Sequence, residues 1–188
     1  MFRSGLILLL FLCSALSEAT AANAIICHGY GCAVEEQVKF SEAQMHYLTW
    51  VLTLPTHASM ERAVLSQAIG KMYRWAGEQS LIHNDRGGNF ADQEVPGRMD
   101  CIDHSTTTTR FLRLLEQRGL LRWHHVLDPV RRLRFLGFAQ HFSALVEVKQ
   151  GDEMGEQYVV DSWFVDNGEP AVILPLADWE AGAGLDVQ

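Results

Sequence analysis

The sequence predicts an α+β protein in which N-terminal helices pack on a C-terminal antiparallel sheet. Three observations carry that expectation. Between Ser41 and Gly119 apolar residues recur at helical spacing, as in Leu65, Ile69, Met72 and Ala76. From Leu120 onward the period becomes that of extended chain, as in HFSALVEVK (His141 to Lys149) and QYVVDSWF (Gln157 to Phe164). Between those two runs, Gln150 to Glu156 is a polar, Gly-containing hairpin loop. Helices first and consecutive strands afterwards is an α+β order.

The elements follow in chain order. Met1-Phe2-Arg3-Ser4 is a short positive segment, Gly5 to Leu16 an apolar run, and Ala19-Thr20-Ala21 offers small residues where a signal peptidase reads. Residues 1–21 are therefore expected to be a signal peptide and 22–188 a single domain, exported to the periplasm or secreted. The apolar run is too short to span a bilayer comfortably, and no other stretch is suited to stable membrane insertion. Cys13 follows Leu12, where a lipid-anchor signal wants a small residue. Val38 to Phe40 reads as a short strand. Ser41 and Gln44 form a capping box for a helix through about Val51. A second helix runs from about Ser59 to Glu78. Residues Ser80 to Arg98 hold Asn84-Asp85-Arg86-Gly87-Gly88-Asn89 and Pro96-Gly97, a long loop of the kind that often serves function. A third helix opens at Asp100-Cys101, with Asp100 as cap, Asp103 reaching back to it and Gly119 closing it. Thr106 to Thr109 are poor helix formers, so burial must hold them there. Strands are then expected at Leu120 to Leu127, at His141 to Lys149, at Gln157 to Phe164 and at Ala171 to Leu174.

A net charge of -8 argues against a nucleic-acid partner, whose phosphates need Lys and Arg. The basic run Arg131, Arg132 and Arg134 reads as a solvated loop or strand face. With Cys13 removed in the leader, Cys27, Cys32 and Cys101 remain. Cys27 and Cys32 flank the turn-rich His28-Gly29-Tyr30-Gly31 and can close a small disulfide in an oxidising compartment. Cys101 is then the unpaired thiol.

Cys101 sits at the first turn of its helix. The helix dipole and free N–H groups there favour a thiolate and can hold an oxyanion. Asp100 and Asp103 oppose that, because nearby negative charge disfavours thiolate, so a base is needed. Among eight histidines, His141 begins a strand, and Asp161 lies in the next one. Both numbers are odd, so an in-register antiparallel hairpin puts the two side chains on one face. Asp161 can then orient His141 as the third member of a triad, with His141 within reach of the Cys101 sulfur. Asp161 also stands within an apolar run, where a carboxylate needs a partner.

Cys at a helix start, His on a strand and Asp on the following strand resemble the bacterial transglutaminase-like cysteine peptidases. Met99-Asp100-Cys101-Ile102-Asp103 resembles their Asp-Cys-x-Asp segment, His141 to Val146 their His-strand, and Val160-Asp161-Ser162-Trp163 their Asp-strand. The similarity covers roughly Gly97 to Phe164. It implies a transglutaminase-like, papain-like core and thiol chemistry on an amide, with catalytic Cys101, His141 and Asp161. The expected function is that of an exported thiol hydrolase or acyltransferase acting on a protein or peptide, without a cofactor. Two alternatives stand beside it: a non-catalytic exported binding or assembly module of the same fold, and an NlpC-type peptidoglycan amidase.

Other constellations are weaker. Cys27, His28 and Cys32 lack a second ligand pair for zinc. Asp85, Asp100 and Asp103 could meet around Ca²⁺ if the loop folds back, but show no EF-hand spacing. His104, one turn after Cys101, has no evident oriented carboxylate. At least one of His124 and His125 is expected to be structural.

Overall fold

The computed structural model describes residues 20–134 and 139–184. Residues 1–19 of the expected leader, Cys13 included, lie outside them. The architecture is α+β with antiparallel sheets. Among the described residues no helix is long and apolar enough to cross a membrane.

The chain opens with a two-stranded ribbon, β1 (Ala22–His28) and β2 (Val34–Phe40), paired from Ala22↔Phe40 to His28↔Val34. The sequence reading missed β1 and recovered only the end of β2. Ala and Asn are poor strand formers, and Glu35 and Glu36 look unlike a strand until one sees that Glu35 is exposed and Glu36, half-buried, lies 3.6 Å from His28. The inward residues Ile26, Val38 and Phe40 join the main core.

Two helices follow. α1 (Glu42–Thr53) starts at the full capping box of Ser41 and Gln44. α2 (Ala58–Gly77) buries the stripe Leu65, Ile69, Met72 and Ala76. A short 3-10 turn, Leu81–Asn84, begins the segment read as a long loop. α3 (Cys101–Gln117) is capped by Asp100 and Asp103, buries Phe111, Leu112 and Leu115, and ends before Gly119 at φ +69°. Burial does hold its threonines: Thr107 and Thr108 are inaccessible, and Thr107 accepts the Cys27 N–H.

The main sheet comprises β3 (His124–Val126), β4 (Val130–Arg134), β5 (Ala139–Val148), β6 (Gln157–Asp161) and β7 (Val172–Pro175), with β3-β5-β6-β7 as neighbours. A five-residue helix, α4 (Leu176–Glu180), closes the described chain. The strand expected over Leu120 to Leu127 shrinks to three residues. β4 continues it along the same edge of β5, because the register moves by only one residue between His124↔Val148 and Val130↔Ser143. Pro129 and Asp128 mark that bulge.

Two cores result. Ala144, Val146, Val148, Tyr158 and Val160 face the helices, while Leu145 and Val159 point the other way and pack with Trp163, Phe164 and Trp179. The second core also overturns one sequence expectation. Arg132 is buried, its guanidinium lying 4.5 Å over the Trp179 ring and donating to the carbonyls of Trp179 and Ala183. Stacking and the fork of donors make burial of this arginine tolerable; Arg131 beside it is exposed.

Candidate active site

The thiol-bearing turn is built by two carboxylates and a left-handed loop. Cys27 and Cys32 are joined in a disulfide. Between them Gly29, Tyr30 and Gly31, with Cys32 itself, all have positive φ, from 58° to 82°. Successive residues in this conformation turn their N–H groups to one side and make an anion-binding concavity. The anions are the side chains that flank Cys101. Asp103 accepts from Tyr30 N (2.8 Å), Cys32 N (2.6 Å) and Asp100 N (3.1 Å). Asp100 accepts from Gly31 N (3.0 Å), Ile102 N (3.0 Å) and Asp103 N (2.9 Å). The negative charges that oppose a thiolate are therefore met by N–H dipoles on both sides.

Cys101 itself is half-buried and packs against the second core. Burial pushes its thiol above the ordinary value of 9.0, and the charges of Asp100 and Asp161 push the same way. The backbone of Phe142, hydrogen-bonding to the sulfur, and that of Cys101 pull it back. The strand geometry explains why Phe142 is free to do this. Val148 N–H donates to Glu156 O across the hairpin, so even-numbered residues of β5 turn their main chain toward β6. β6 ends at Asp161, and the last pair is Ala144↔Val160. Phe142, two residues beyond, has its N–H directed past the end of the ladder, where α3 begins.

His141 and Asp161 are brought together. With Ala144 opposite Val160, Asp161 falls opposite Ser143, and His141 is its diagonal neighbour on the same face. His141 Nε2 lies 2.7 Å from Asp161 Oδ2. Asp161 is buried and also accepts Trp179 Nε1–H at 3.0 Å and the Trp163 N–H at 3.2 Å. The rings of Trp163, Phe164 and Trp179 surround His141 at centroid distances of 4.9, 5.3 and 5.7 Å. Bonding through Nε2 leaves Nδ1 as the nitrogen open to a thiol. Among the described residues no hydrogen bond joins the Cys101 sulfur to the His141 ring, although Cys101 packs against the second core and His141 lies against its Trp163 and Phe164 rings. Burial thus disfavours the thiolate, and the candidate base His141 is already oriented by Asp161.

A second histidine was misjudged from sequence. His104 does have an oriented carboxylate: its Nε2 is 2.9 Å from Asp85 Oδ2, and its Nδ1 is 2.9 Å from Ser162 Oγ. Asp85 lies in the long loop, too far along the chain for any spacing rule to pair it with His104. Trp179 was likewise missed, since the short helix that carries it leaves no periodic signal. The three carboxylates considered for Ca²⁺ are committed elsewhere: Asp85 to His104 and the Met99 N–H, Asp100 and Asp103 to the N–H groups above. Among the described residues, the one group of clustered metal-ligand atoms is Cys27, Cys32 and Glu35, and its two sulfurs are bonded to each other. His124 is structural, as expected for one of the two neighbours: its Nδ1 is 2.9 Å from the buried Glu61.

The long loop is fastened beside this site. Gly88 N–H donates to Trp163 O at 2.7 Å and Gly87 N–H to Asp166 at 3.0 Å. A Cβ on Gly97 (φ +87°) would stand 1.9 Å from Leu81 O, so only glycine can close the loop before Cys101. Phe90, exposed at the loop tip, packs edge-on against Trp163. Comparisons with family models, with curated proteins and with solved structures found no match to this chain.

Proposed function

We propose that this protein is an exported thiol hydrolase or acyltransferase with a transglutaminase-like core, acting on peptide or amide bonds through Cys101, His141 and Asp161. The observation that carries the reading is the buried His141–Asp161 bond of 2.7 Å, set on the strand whose next N–H, that of Phe142, faces the Cys101 sulfur. Export is supported by the leader-like residues 1–21 and by the Cys27–Cys32 disulfide.

In this reading, proton transfer and attack are coupled. As Cys101 Sγ attacks an amide carbonyl, its proton passes to His141 Nδ1, and Asp161 steadies the imidazolium through Nε2. The carbonyl oxygen takes up the electron pair as an oxyanion, and the N–H groups of Phe142 and Cys101, which face the sulfur, are the candidate donors to receive it. The tetrahedral species collapses, the C–N bond breaks, and His141 returns the proton to the leaving amine. A thioester remains on Cys101. Water or an acceptor amine then attacks it, again with His141 as base, which gives hydrolysis or acyl transfer.

Two observations favour a second reading. The absence of a Cys101–His141 hydrogen bond and the upward push on the thiol fit a scaffold that retains the fold for binding alone. Exposure to p-nitrophenyl acetate at neutral pH separates the two. An enzyme of this kind releases nitrophenol in a burst and carries one acetyl group on Cys101, located by peptide mass analysis, and both signals collapse in His141→Ala. A scaffold shows no burst, and its slow thiol labelling is indifferent to His141→Ala.

A further inference from the structure

His104, Asp85 and Ser162 form a series of the same composition as a serine triad, yet all three are buried. The Ser162 hydroxyl is capped by Thr108 Oγ1 at 2.9 Å and by Tyr73 OH at 3.1 Å, and Tyr73 OH also donates to the His104 carbonyl at 3.2 Å. A substrate has no way to that serine, so the series is not a second active centre. What it joins is more informative. Asp85 Oδ1 accepts the Met99 N–H at 2.9 Å, two residues before Cys101. His104 is three residues after Cys101 on α3. Ser162 directly follows Asp161, and because side chains alternate, it points to the opposite face of the strand end.

We infer that His104 is a positioning residue: bridging Asp85 to Ser162, it sets the spacing between the turn that presents Cys101 and the strand end that presents Asp161 and, through it, His141. This rests on the reading of Cys101, His141 and Asp161 as the reacting group. The bridge spans the gap that no direct hydrogen bond between Cys101 and His141 closes. Its members are rigid for reasons of valence. Both ring nitrogens of His104 are bonded, and Asp85 uses one oxygen for the turn and the other for the ring. A loose link would cost rate steeply, since small misplacements of reacting groups are expensive.

The test measures acetylation of Cys101 by p-nitrophenyl acetate in single and combined variants of the full chain, each first shown to be folded by thermal unfolding. His104→Gln can keep a donor toward Asp85 while losing Ser162; Ser162→Ala breaks the same link from the other side and serves alone if the first variant does not fold. Each is expected to slow acetylation about tenfold, and the two together no more than either alone, because one link is being removed. In a His141→Ala background the same changes should alter the residual rate less than about twofold. Unchanged rates in the single variants overturn the inference. So does an equal loss in the His141→Ala background, which marks a general packing effect on the thiol. If His141→Ala alone leaves the rate intact, the reading of the active site itself fails, and the inference falls with it.

Discussion

The end of β6 sorts two histidines to opposite faces of one strand, and they differ in how much of each ring the protein has used. His104 has both nitrogens bonded to buried groups, Asp85 on one side and Ser162 on the other. His141 has one nitrogen bonded, to Asp161, and no hydrogen-bond partner for Nδ1 among the described residues. A neutral imidazole has one donor and one acceptor, so a ring like that of His104 has nothing left to offer a substrate. A ring like that of His141 is oriented and still has one site in reserve. His124, bonded to Glu61 at Nδ1 and 3.4 Å from Arg62 at Nε2, sides with His104. Saturation therefore distinguishes His141 from His104 and His124 where burial does not, because all three are buried.

The contrast breaks most visibly at His141. His141→Ala should lower the acetylation rate of Cys101 by about 10²- to 10⁴-fold, the usual range for a general base, and leave the circular dichroism spectrum unchanged. Asp161→Asn should cost less than His141→Ala, since the base is disoriented but retained. A larger loss in Asp161→Asn than in His141→Ala would reverse their assigned roles.

The saturated side should answer in stability instead. Glu61 is inaccessible and accepts the N–H groups of Arg122 and Trp123 as well as His124 Nδ1. Glu61→Ala strands these donors and should cost about 3–5 kcal/mol in denaturant unfolding, with acetylation of the folded fraction unchanged. Reduction of the Cys27–Cys32 disulfide frees a short loop and should cost about 2 kcal/mol. It also releases the N–H cradle around Asp100 and Asp103, so acetylation should slow by a few fold. Full retention of the rate after reduction would show that the cradle has no hold on the thiol.

The smallest effect concerns pH. The Cys101 thiol is raised above 9.0 in the folded protein by burial and by Asp100 and Asp161. A raised value means that the folded state holds the proton longer. Stability from this group is thus complete below pH 9.0 and is lost as pH rises from there through the folded value. Cys101→Ser should remove that part of the alkaline decline, seen as a flatter melting temperature above pH 9.0.

Much of this was legible in the residues. The capping boxes at Ser41 and Asp100, the buried stripe of α2 and the parity of 141 and 161 are local patterns with a fixed geometric meaning, and each reappears in the structure. What stayed hidden depends on distant meetings. Asp85 and His104 are joined by a loop whose path no spacing encodes, and Trp179 reaches Asp161 from an element too short to show a period. Arg132 looked like one of three solvated cations until the second core supplied Trp179 beneath it. β1 failed for a different reason: its alanines carry no strand preference, and pairing with β2 imposes the conformation.

The pH dependence of Cys101 acetylation in the intact protein tests the central claim most directly. With His141 as the base, acetylation should already be fast well below 9.0, the ordinary value of the thiol, and His141→Ala should erase that rate. A rate that stays flat until the thiol itself ionises above 9.0, with wild type and His141→Ala superimposed, would contradict it and leave Cys101 and His141 as neighbours without a shared reaction.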